Sequence, residues 1–271
     1  MLRRTMLRRT ILGVAALAAV AGFGTIPARA ADQPIRFGVA AEPYPPFTSQ
    51  EASGKWVGFE VDLMDAVCAA MKAKCVIVPT AWDGIIPALN ANKIDLIWSS
   101  MSITDERKKV IDFSDKYYST PAEIVAAKSM PLKLTLTDAS ALKGKVIGVQ
   151  TSTTHANYIQ KHFKDLATVK TYDTQDNANA DLVAGRVDAI QADSTTLDDF
   201  LKTDAGKDYE VKLLIPNSSD PAVLGDGVGA GLRKSDTALR DKVNAAIKQV
   251  RADGTYDKIQ KKYFAYNVYG G

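Results

Sequence analysis

Cysteine and histidine are scarce in this chain, with two of each among 271 residues. Their scarcity and the absence of a Cys-x-x-Cys spacing exclude a disulfide-dense scaffold and a thioredoxin-type redox motif, and argue against a metal centre. No Gly-x-Ser-x-Gly motif occurs, which removes the usual mark of an α/β hydrolase. Proline and glycine, at 11 and 18 residues, are too few for collagen or a low-complexity chain. The composition is that of a globular protein, and the length predicts about two domains.

Acidic residues are absent from the first 30 positions, which contain Arg3, Arg4, Arg8, Arg9 and Arg29. Without these five arginines, the 34 basic residues of the chain fall to 29, against 31 acidic residues. The basic charge therefore belongs to the N-terminal segment, and the remainder lacks the clustered lysines and arginines of a nucleic-acid-binding surface. We expect no nucleic-acid partner.

The N-terminal segment has the pattern of an export signal. An apolar run over residues 11–26 follows the arginines, and residues 28–30 have the small-x-small pattern of a cleavage site. We predict cleavage after Ala30 and a location outside the cytoplasm. A membrane anchor is the alternative, but the run is shorter than the ~20 apolar residues of a spanning helix and contains glycines. Arg8 and Arg9 also allow a twin-arginine route, so the export pathway stays open.

The two cysteines, Cys68 and Cys75, are seven residues apart at the end of a predicted helix. In an oxidising compartment such a pair is most simply a disulfide. Closing a loop this short adds about 2.5 kcal/mol of stability in the chain-entropy model. We predict a structural bond with no catalytic role.

The apolar pattern alternates between strand and helix twice along the chain, which favours α/β units with helices on the faces of a parallel sheet. The first unit has predicted strands at 35–40, 76–79 and 94–100, and predicted helices at 58–71 and after a cap at Asp83. The second has predicted strands at 145–149, 169–172 and 187–192, and predicted helices after the polar turn 151–154 and at 177–184. A strand at 228–232, a helix from 236 to 254 and a last helix around 256–263 follow.

One short stretch of sequence is similar in the two units. Residues 89–100 and 182–193 share a helix end, a turn, a basic residue, a branched aliphatic residue, Asp and Ile in register. This internal similarity places Ser100 and Asp193 at equivalent positions, each at the carboxyl end of a strand. In open α/β sheets ligands bind at these strand ends.

Eight short motifs appear along the chain in the order found in one protein family. They are EPYPPF (42–47), GFEVDL (58–63), WDGIIP (82–87), SMSITDERK (100–108), DFS (112–114), AGRVDA (184–189), GAGLRK (229–234) and DGTY (253–256). With them the chain resembles the periplasmic amino-acid-binding proteins of ABC importers (solute-binding protein family 3). The resemblance is strongest to the lysine/arginine/ornithine-, histidine- and opine-binding group, and it covers nearly all of residues 34–270.

The resemblance implies a two-lobed α/β periplasmic binding protein fold (type II), each lobe an open, mainly parallel sheet with flanking helices. By similarity lobe 1 comprises residues 31–118 and 228–271, lobe 2 comprises 123–217, and two hinge crossings lie at about 119–122 and 218–227. It also implies a monomer without cofactor that captures an amino acid in the periplasm, between the lobes. Its expected partners are the ABC permease and ATPase subunits of the inner membrane.

Arg107 is the expected clamp on the ligand carboxylate. Thr104 is a plausible N-cap, which puts Arg107 in the first turn of a helix, where a cation opposes the helix dipole by ~0.3–1 kcal/mol. From the sequence alone, a solvated arginine balanced by acidic neighbours is the favoured interpretation. The resemblance instead implies a two-pronged contact with a carboxylate, helped by Ser102.

The ammonium group of an amino acid needs acceptors, and the resemblance assigns Asp193 and Ser100 to it. From the sequence alone, Asp193 is equally suited to cap the helix that begins near Thr195. The other polar contacts implied by the resemblance are Ser99, Gln150 and Thr154.

Tyr44 and Trp82 are expected to sandwich the ligand side chain, and a cationic side chain between two rings gains ~0.5–2 kcal/mol. The chain departs from the basic-amino-acid binders in having Ala41 where they have an acid, so Glu42 is the nearest carboxylate. Arginine, lysine, ornithine, histidine, glutamine and opines therefore stay open as ligands.

We expect a binding protein and not an enzyme. The alternative on the same scaffold is a cyclohexadienyl dehydratase, which needs a positioned acid or base near the bound carboxylate. Glu42 is the single candidate for that role. A sensory partner of a chemoreceptor is a further alternative, and His155 is given no role.

Overall fold

The computed structural model describes residues 33–270, along which strands and helices alternate. The predicted signal peptide, residues 1–30, lies outside the described residues. The strands are β1 (Ile35–Ala40), β2 (Ser49–Gln50), β3 (Trp56–Val57), β4 (Cys75–Thr80), β5 (Leu96–Ile97), β6 (Asp112–Phe113), β7 (Ala122–Ala127), β8 (Val146–Gln150), β9 (Thr168–Tyr172), β10 (Ala189–Asp193), β11 (Tyr209–Ile215) and β12 (Gly231–Leu232). The helices are α1 (Phe59–Ala70), α2 (Ile85–Asn90), α3 (Asp105–Lys108), α4 (Thr154–His162), α5 (Gln175–Val183), α6 (Ser194–Leu201), α7 (Pro221–Leu224), α8 (Thr237–Ala252) and α9 (Thr255–Tyr263).

Two five-stranded sheets carry the described fold, in the orders β4-β1-β5-β12-β6 and β11-β7-β10-β8-β9. In the first, β12 pairs antiparallel with both of its neighbours, so the other four strands share one direction. In the second, β7 is the reversed strand in the same way. Two mainly parallel sheets with flanking helices confirm the predicted two-lobed α/β fold.

The chain passes between the sheets twice, from β6 to β7 and from β11 back to β12. The reversed strand of each sheet is the first strand after each passage. The two passages run side by side, because Tyr118 and Val228 form an antiparallel bridge in which the Val228 N–H donates to the Tyr118 carbonyl at 2.8 Å.

Each sheet is buried on both faces. One face of the first sheet packs on α1, α8 and α9, and the other face packs on α2. Neighbouring residues of β5 separate the two cores, because Leu96 faces the first and Ile97 the second. The second sheet packs on α4 on one side and on α5 and α6 on the other. Of the residues described, no helix is long and apolar enough to cross a bilayer.

Two local features fix the start and end of α1. Gly58 precedes it with φ 129°, and a Cβ there would lie 2.2 Å from the Phe47 carbonyl oxygen, so only glycine fits. In its last turn, Cys68 forms a disulfide with Cys75 that ties α1 to β4, as predicted.

Several predicted elements differ in detail from the structure. The predicted cap at Asp83 is wrong: Asp83 lies inside a 3-10 turn, Trp82–Gly84, and Gly84 is the N-cap residue of α2. The carbonyl of Trp82 accepts the N–H of Ile85, so the turn itself satisfies a donor that a side-chain cap would take. The strands predicted at 94–100 and 228–232 shorten to β5 and β12, and strands β7 and β11 are not predicted at all.

Candidate functional site

One cleft between the two sheets brings together all ten polar and aromatic residues singled out in the sequence. The space between its lining atoms, partly open to solvent, is about 480 Å³. The ten residues are Glu42, Tyr44, Trp82, Ser99, Ser100, Ser102, Arg107, Gln150, Thr154 and Asp193. Four further lining residues are Ala40, Pro43, Thr153 and His155.

The carboxyl ends of four parallel strands build the cleft. The loop after β1 supplies Tyr44, the segment after β5 supplies Ser100, β8 ends at Gln150, and β10 ends at Asp193. This placement agrees with the internal sequence similarity, which puts Ser100 and Asp193 at equivalent strand ends.

Arg107 projects into the cleft from α3. Thr104 caps this helix as predicted, accepting the Arg107 N–H at 3.2 Å. The guanidinium donates to the carbonyl oxygens of Ser102 at 3.0 Å and Ser152 at 3.2 Å, and lies 5.6 Å from the centre of the Trp82 ring. These are its hydrogen bonds within residues 33–270, so three of its five N–H groups remain for an anion.

Burial lowers the pKa of Arg107 to about 10, although the nearby carboxylate of Asp193 opposes the shift. The guanidinium therefore stays cationic at neutral pH. A partly buried cation with unused donors is well suited to a carboxylate.

Asp193 is a carboxylate that lines the cleft from the side of the second sheet. It is the N-cap residue of α6 by position, but its side chain makes no capping hydrogen bond, so the capping alternative is wrong for the carboxylate. Its oxygens accept from the hydroxyl groups of Tyr44 at 2.6 Å and Thr120 at 2.8 Å, and Nε2 of His155 lies 3.5 Å away. Burial alone would raise the pKa of Asp193, but attraction to His155 and these hydrogen bonds outweigh it and hold the pKa below its usual range. The group is ionised at neutral pH.

Ser100 lies beside the cleft with its backbone in the left-handed region, at φ 50°. Both of its donors point away to Glu60, the N–H at 2.8 Å and the hydroxyl at 3.0 Å. Ser99 next to it joins the ends of β1 and β5, because its hydroxyl oxygen accepts the Ala40 N–H at 3.0 Å.

The two aromatic residues are held by different partners. Tyr44 stacks on Phe47, with ring centres 5.9 Å apart. The Trp82 N–H donates to the Glu42 carboxylate at 3.2 Å, and its indole Nε1 donates to the Thr151 carbonyl at 3.2 Å. Glu42 therefore lies at the Trp82 end of the cleft.

The turn 151–154 opens α4 at the other side. Thr153 is its N-cap: the hydroxyl oxygen accepts the Ala156 N–H at 3.0 Å, and the hydroxyl donates to the Gln150 carbonyl at 2.7 Å. Thr154 follows as the first residue of the helix and is buried. The Gln150 amide donates to the Asp173 carbonyl at 3.0 Å, which fixes its orientation.

Among the described residues, four hydrogen bonds join three residue pairs across the cleft. Two join Tyr44 to Asp193, one joins Trp82 to Thr151 and one joins Arg107 to Ser152. Each partner pair has one residue on the side of the first sheet and one on the side of the second.

Sequence reasoning missed two residues at this site. His155 lines the cleft and is 7% exposed, and its signal was its position directly after the polar turn. Glu60 is fully buried behind Ser100, and its only signal was its position between the apolar residues Phe59 and Val61 at the start of α1.

Comparison with known proteins identifies the family. The model of the bacterial extracellular solute-binding proteins, family 3, matches residues 35–266. The L-arginine-binding protein of Pseudomonas aeruginosa is 45% identical over 267 residues, covering 98% of this chain and 99% of the relative. The histidine-binding periplasmic protein of Salmonella typhimurium is 41% identical over 255 residues, covering 93% and 94%.

Among solved structures, the arginine-specific periplasmic binding protein of Salmonella typhimurium superposes with a TM-score of 0.77 at 32% identity, covering 86% of this chain and all of that one. Sequence and fold agree over nearly the whole described chain. The protein belongs to the bacterial extracellular solute-binding proteins, family 3.

Proposed function

We propose that this protein captures a cationic L-amino acid, arginine being the best match, and delivers it to an ABC permease. The observation that carries the proposal is that Arg107 and Asp193 line one cleft from opposite sheets. An amino acid at neutral pH carries one charge of each sign on the same carbon, so such a pair binds both. The arginine- and histidine-binding names of the relatives support the same class.

In the proposed complex the ligand carboxylate lies against Arg107, which has three unused N–H groups. Ser102, on the side of the first sheet, and the start of α4 at Thr154, on the side of the second, complete the carboxylate site. The ammonium group lies against Asp193 and the oxygen acceptors of Ser100. Ser99 and Gln150 close the floor between the two ends.

The ligand side chain extends toward Trp82, Tyr44 and Glu42. Ala41 is exposed and Glu42 lines the cleft, so Glu42 is the acid available to a cationic side chain. A guanidinium beside an aromatic face and a carboxylate gains both cation–π attraction and a charge-assisted hydrogen bond. This supports an arginine-type side chain over an apolar or acidic one.

We further propose that residues 31–118 and 228–271 act as one lobe and 123–217 as the other, moving about hinges at 119–122 and 218–227. The side-by-side passages at Tyr118 and Val228 support a hinge of two strands. The proposed protein is a periplasmic monomer, cleaved after Ala30, and its partners are permease and ATPase subunits.

The protein is proposed to bind without catalysis. Asp193 accepts two hydroxyl hydrogens and is held ionised, which suits a salt bridge better than proton delivery. Incubation with prephenate or arogenate tests this point, and release of an aromatic product would contradict it.

A thermal-shift screen tests the ligand class. The panel is the twenty standard amino acids with ornithine, citrulline, octopine and nopaline, because a tight ligand raises the melting temperature by mass action. We expect arginine to give the largest shift, followed by the other cationic amino acids. A panel without any shift would overturn the proposal.

Arg107→Ala tests the clamp. We expect arginine binding by calorimetry to weaken by about 2–5 kcal/mol, the usual cost of removing one member of a buried charge pair. The control is Lys108→Ala, which removes the neighbouring cation on the same helix but does not line the cleft. Unchanged affinity in Arg107→Ala would mean that the carboxylate site is elsewhere.

A further inference from the structure

Glu60 is a buried carboxylate that lies behind the cleft without lining it. It is the second residue of α1, and its exposed fraction is 0%. Its Oε1 accepts the Ser100 N–H at 2.8 Å and the Tyr117 hydroxyl at 2.5 Å, and its Oε2 accepts the Ser100 hydroxyl at 3.0 Å. Two of these three hydrogen bonds come from one residue of the proposed ligand site.

The surroundings of Glu60 are rigid. The Tyr117 ring stacks on Trp98 with ring centres 4.2 Å apart, and the Trp98 indole donates to the Glu60 carbonyl at 2.9 Å. Tyr256 donates to the Tyr117 carbonyl at 2.7 Å. The carboxylate is therefore held in one orientation by side chains that are themselves fixed by packing.

As a consequence, Ser100 can act toward the cleft only as a hydrogen-bond acceptor. A serine has two donors, the backbone N–H and the hydroxyl, and both are spent on Glu60. Toward the cleft Ser100 can offer only acceptors, the lone pairs of its hydroxyl and carbonyl oxygens. An ammonium group has three donors and no acceptor, so it matches this side of Ser100.

We propose that Glu60 is a positioning residue that fixes Ser100 as a hydrogen-bond acceptor for the ligand ammonium group. The inference rests on the proposed function, since it needs an amino acid in the cleft. Glu60 also holds Ser100 in its left-handed backbone conformation, which a non-glycine residue adopts only when its surroundings impose it.

Protonation of Glu60 turns the Ser100 hydroxyl from a hydrogen-bond acceptor into a donor toward the cleft. A proton on Oε2 donates to the Ser100 hydroxyl oxygen, and the hydroxyl hydrogen then turns toward the cleft, where it opposes an ammonium. Burial raises the pKa of Glu60 to about 7, in spite of the hydrogen bonds from Tyr117 and Ser100 and with added repulsion from Asp193. The titratable groups that face Glu60 are Tyr117, Tyr118 and Asp193; burial raises the pKa of both tyrosines well above its usual value, so neither ionises near neutral pH.

Glu60→Gln is the decisive variant, because it preserves the network and, apart from removing the negative charge, changes only the direction of one hydrogen bond. The Gln Oε1 keeps the Ser100 N–H and the Tyr117 hydroxyl, since an amide nitrogen there would face two donors. Its Nε2 then donates to the Ser100 hydroxyl oxygen. We expect the melting temperature to be retained and the affinity for L-arginine, the probe, to fall at least tenfold at pH 8 by calorimetry.

Two further measurements separate positioning from a general loss of negative charge. In a Ser100→Ala background, Glu60→Gln should cost little additional affinity, because the hydroxyl through which it acts is gone. Between pH 8 and pH 6 the wild type should lose more affinity than Glu60→Gln, which has no proton to gain. Wild-type affinity in Glu60→Gln, or an equal loss in the Ser100→Ala background, overturns the inference.

The outcome also separates this inference from the proposed function. Wild-type protein that binds neither L-arginine nor any compound of the panel would overturn both. Wild-type binding with an unaffected Glu60→Gln variant would overturn the role of Glu60 alone.

Discussion

At the scale of single residues, the charged groups that line the cleft depend on hydrogen-bonding partners that are far from them in the sequence. Asp193 stays ionised in a half-buried position because Tyr44, Thr120 and His155 surround it, and these residues come from distant parts of the chain. Ser100 was predicted at a strand end, but its role as a hydrogen-bond acceptor toward the cleft depends on Glu60, forty positions earlier. Residue types and strand ends therefore identified the lining, whereas the partners behind it depend on packing between helices and sheets.

Glu123 is a second buried carboxylate, outside the cleft on β7, and it gives a prediction about stability. It is 7% exposed, and its Oε2 has no hydrogen-bond partner among the described residues. Burial, with repulsion from Asp198, raises the pKa of Glu123 to about 7. The folded state therefore holds this proton more tightly than the unfolded chain, so the stabilisation is full at acid pH and is lost as the pH rises through about 7.

Glu123→Gln is neutral at every pH and removes this loss. We expect the variant to gain about 1–2 kcal/mol over the wild type between pH 5 and pH 8, after allowance for solvent screening. Denaturant unfolding at both pH values measures the difference. Glu51→Gln, on an exposed turn, is the control and should show the same difference from wild type at both pH values. A constant difference for Glu123→Gln as well would show that Glu123 is ionised throughout.

At the scale of elements, the sequence predicted most helices and strands because their apolar residues repeat at helical or strand spacing. Helix α8 is one example: Val243, Ile247 and Val250 were predicted on one face and are buried against the first sheet. Strand β7 was missed because its sequence, AEIVAA, is rich in alanine, which has a low strand propensity. Strand β11 was missed because it lies at a sheet edge. Five of its seven residues are partly or fully exposed, and buried and exposed positions do not alternate regularly along it.

The disulfide between α1 and β4 gives a prediction at this scale. Its reduction should cost about 2.5 kcal/mol for a loop of this length and lower the melting temperature by about 5–10 °C. Arginine affinity should be unchanged, because neither cysteine lines the cleft. Calorimetry with and without reductant measures both quantities, and a Cys68→Ser/Cys75→Ser variant controls for effects of the reductant. Loss of binding without loss of stability would assign the cysteines to the site.

At the scale of the whole molecule, the two-sheet arrangement allows one zwitterionic ligand to bond to both lobes. Arg107 belongs to the side of the first sheet and Asp193 to the side of the second, so a ligand that holds both is bonded across the cleft. The four protein hydrogen bonds that cross it among the described residues are few, and each contributes only about 0.5–1.5 kcal/mol net. The ligand's two charges should therefore decide whether the closed form is populated.

Agmatine, which is arginine without its carboxylate, separates binding from closure. It retains the cationic side chain and the amine, so it can still contact Glu42, Trp82 and Asp193, but it offers nothing to Arg107. We expect L-arginine to reduce the radius of gyration in small-angle scattering, and saturating agmatine to leave it near the ligand-free value. Arg107→Ala with L-arginine should behave like wild type with agmatine, because each lacks the same bond. Equal compaction by both compounds would mean that contacts within one lobe close the cleft without the zwitterion bridging it.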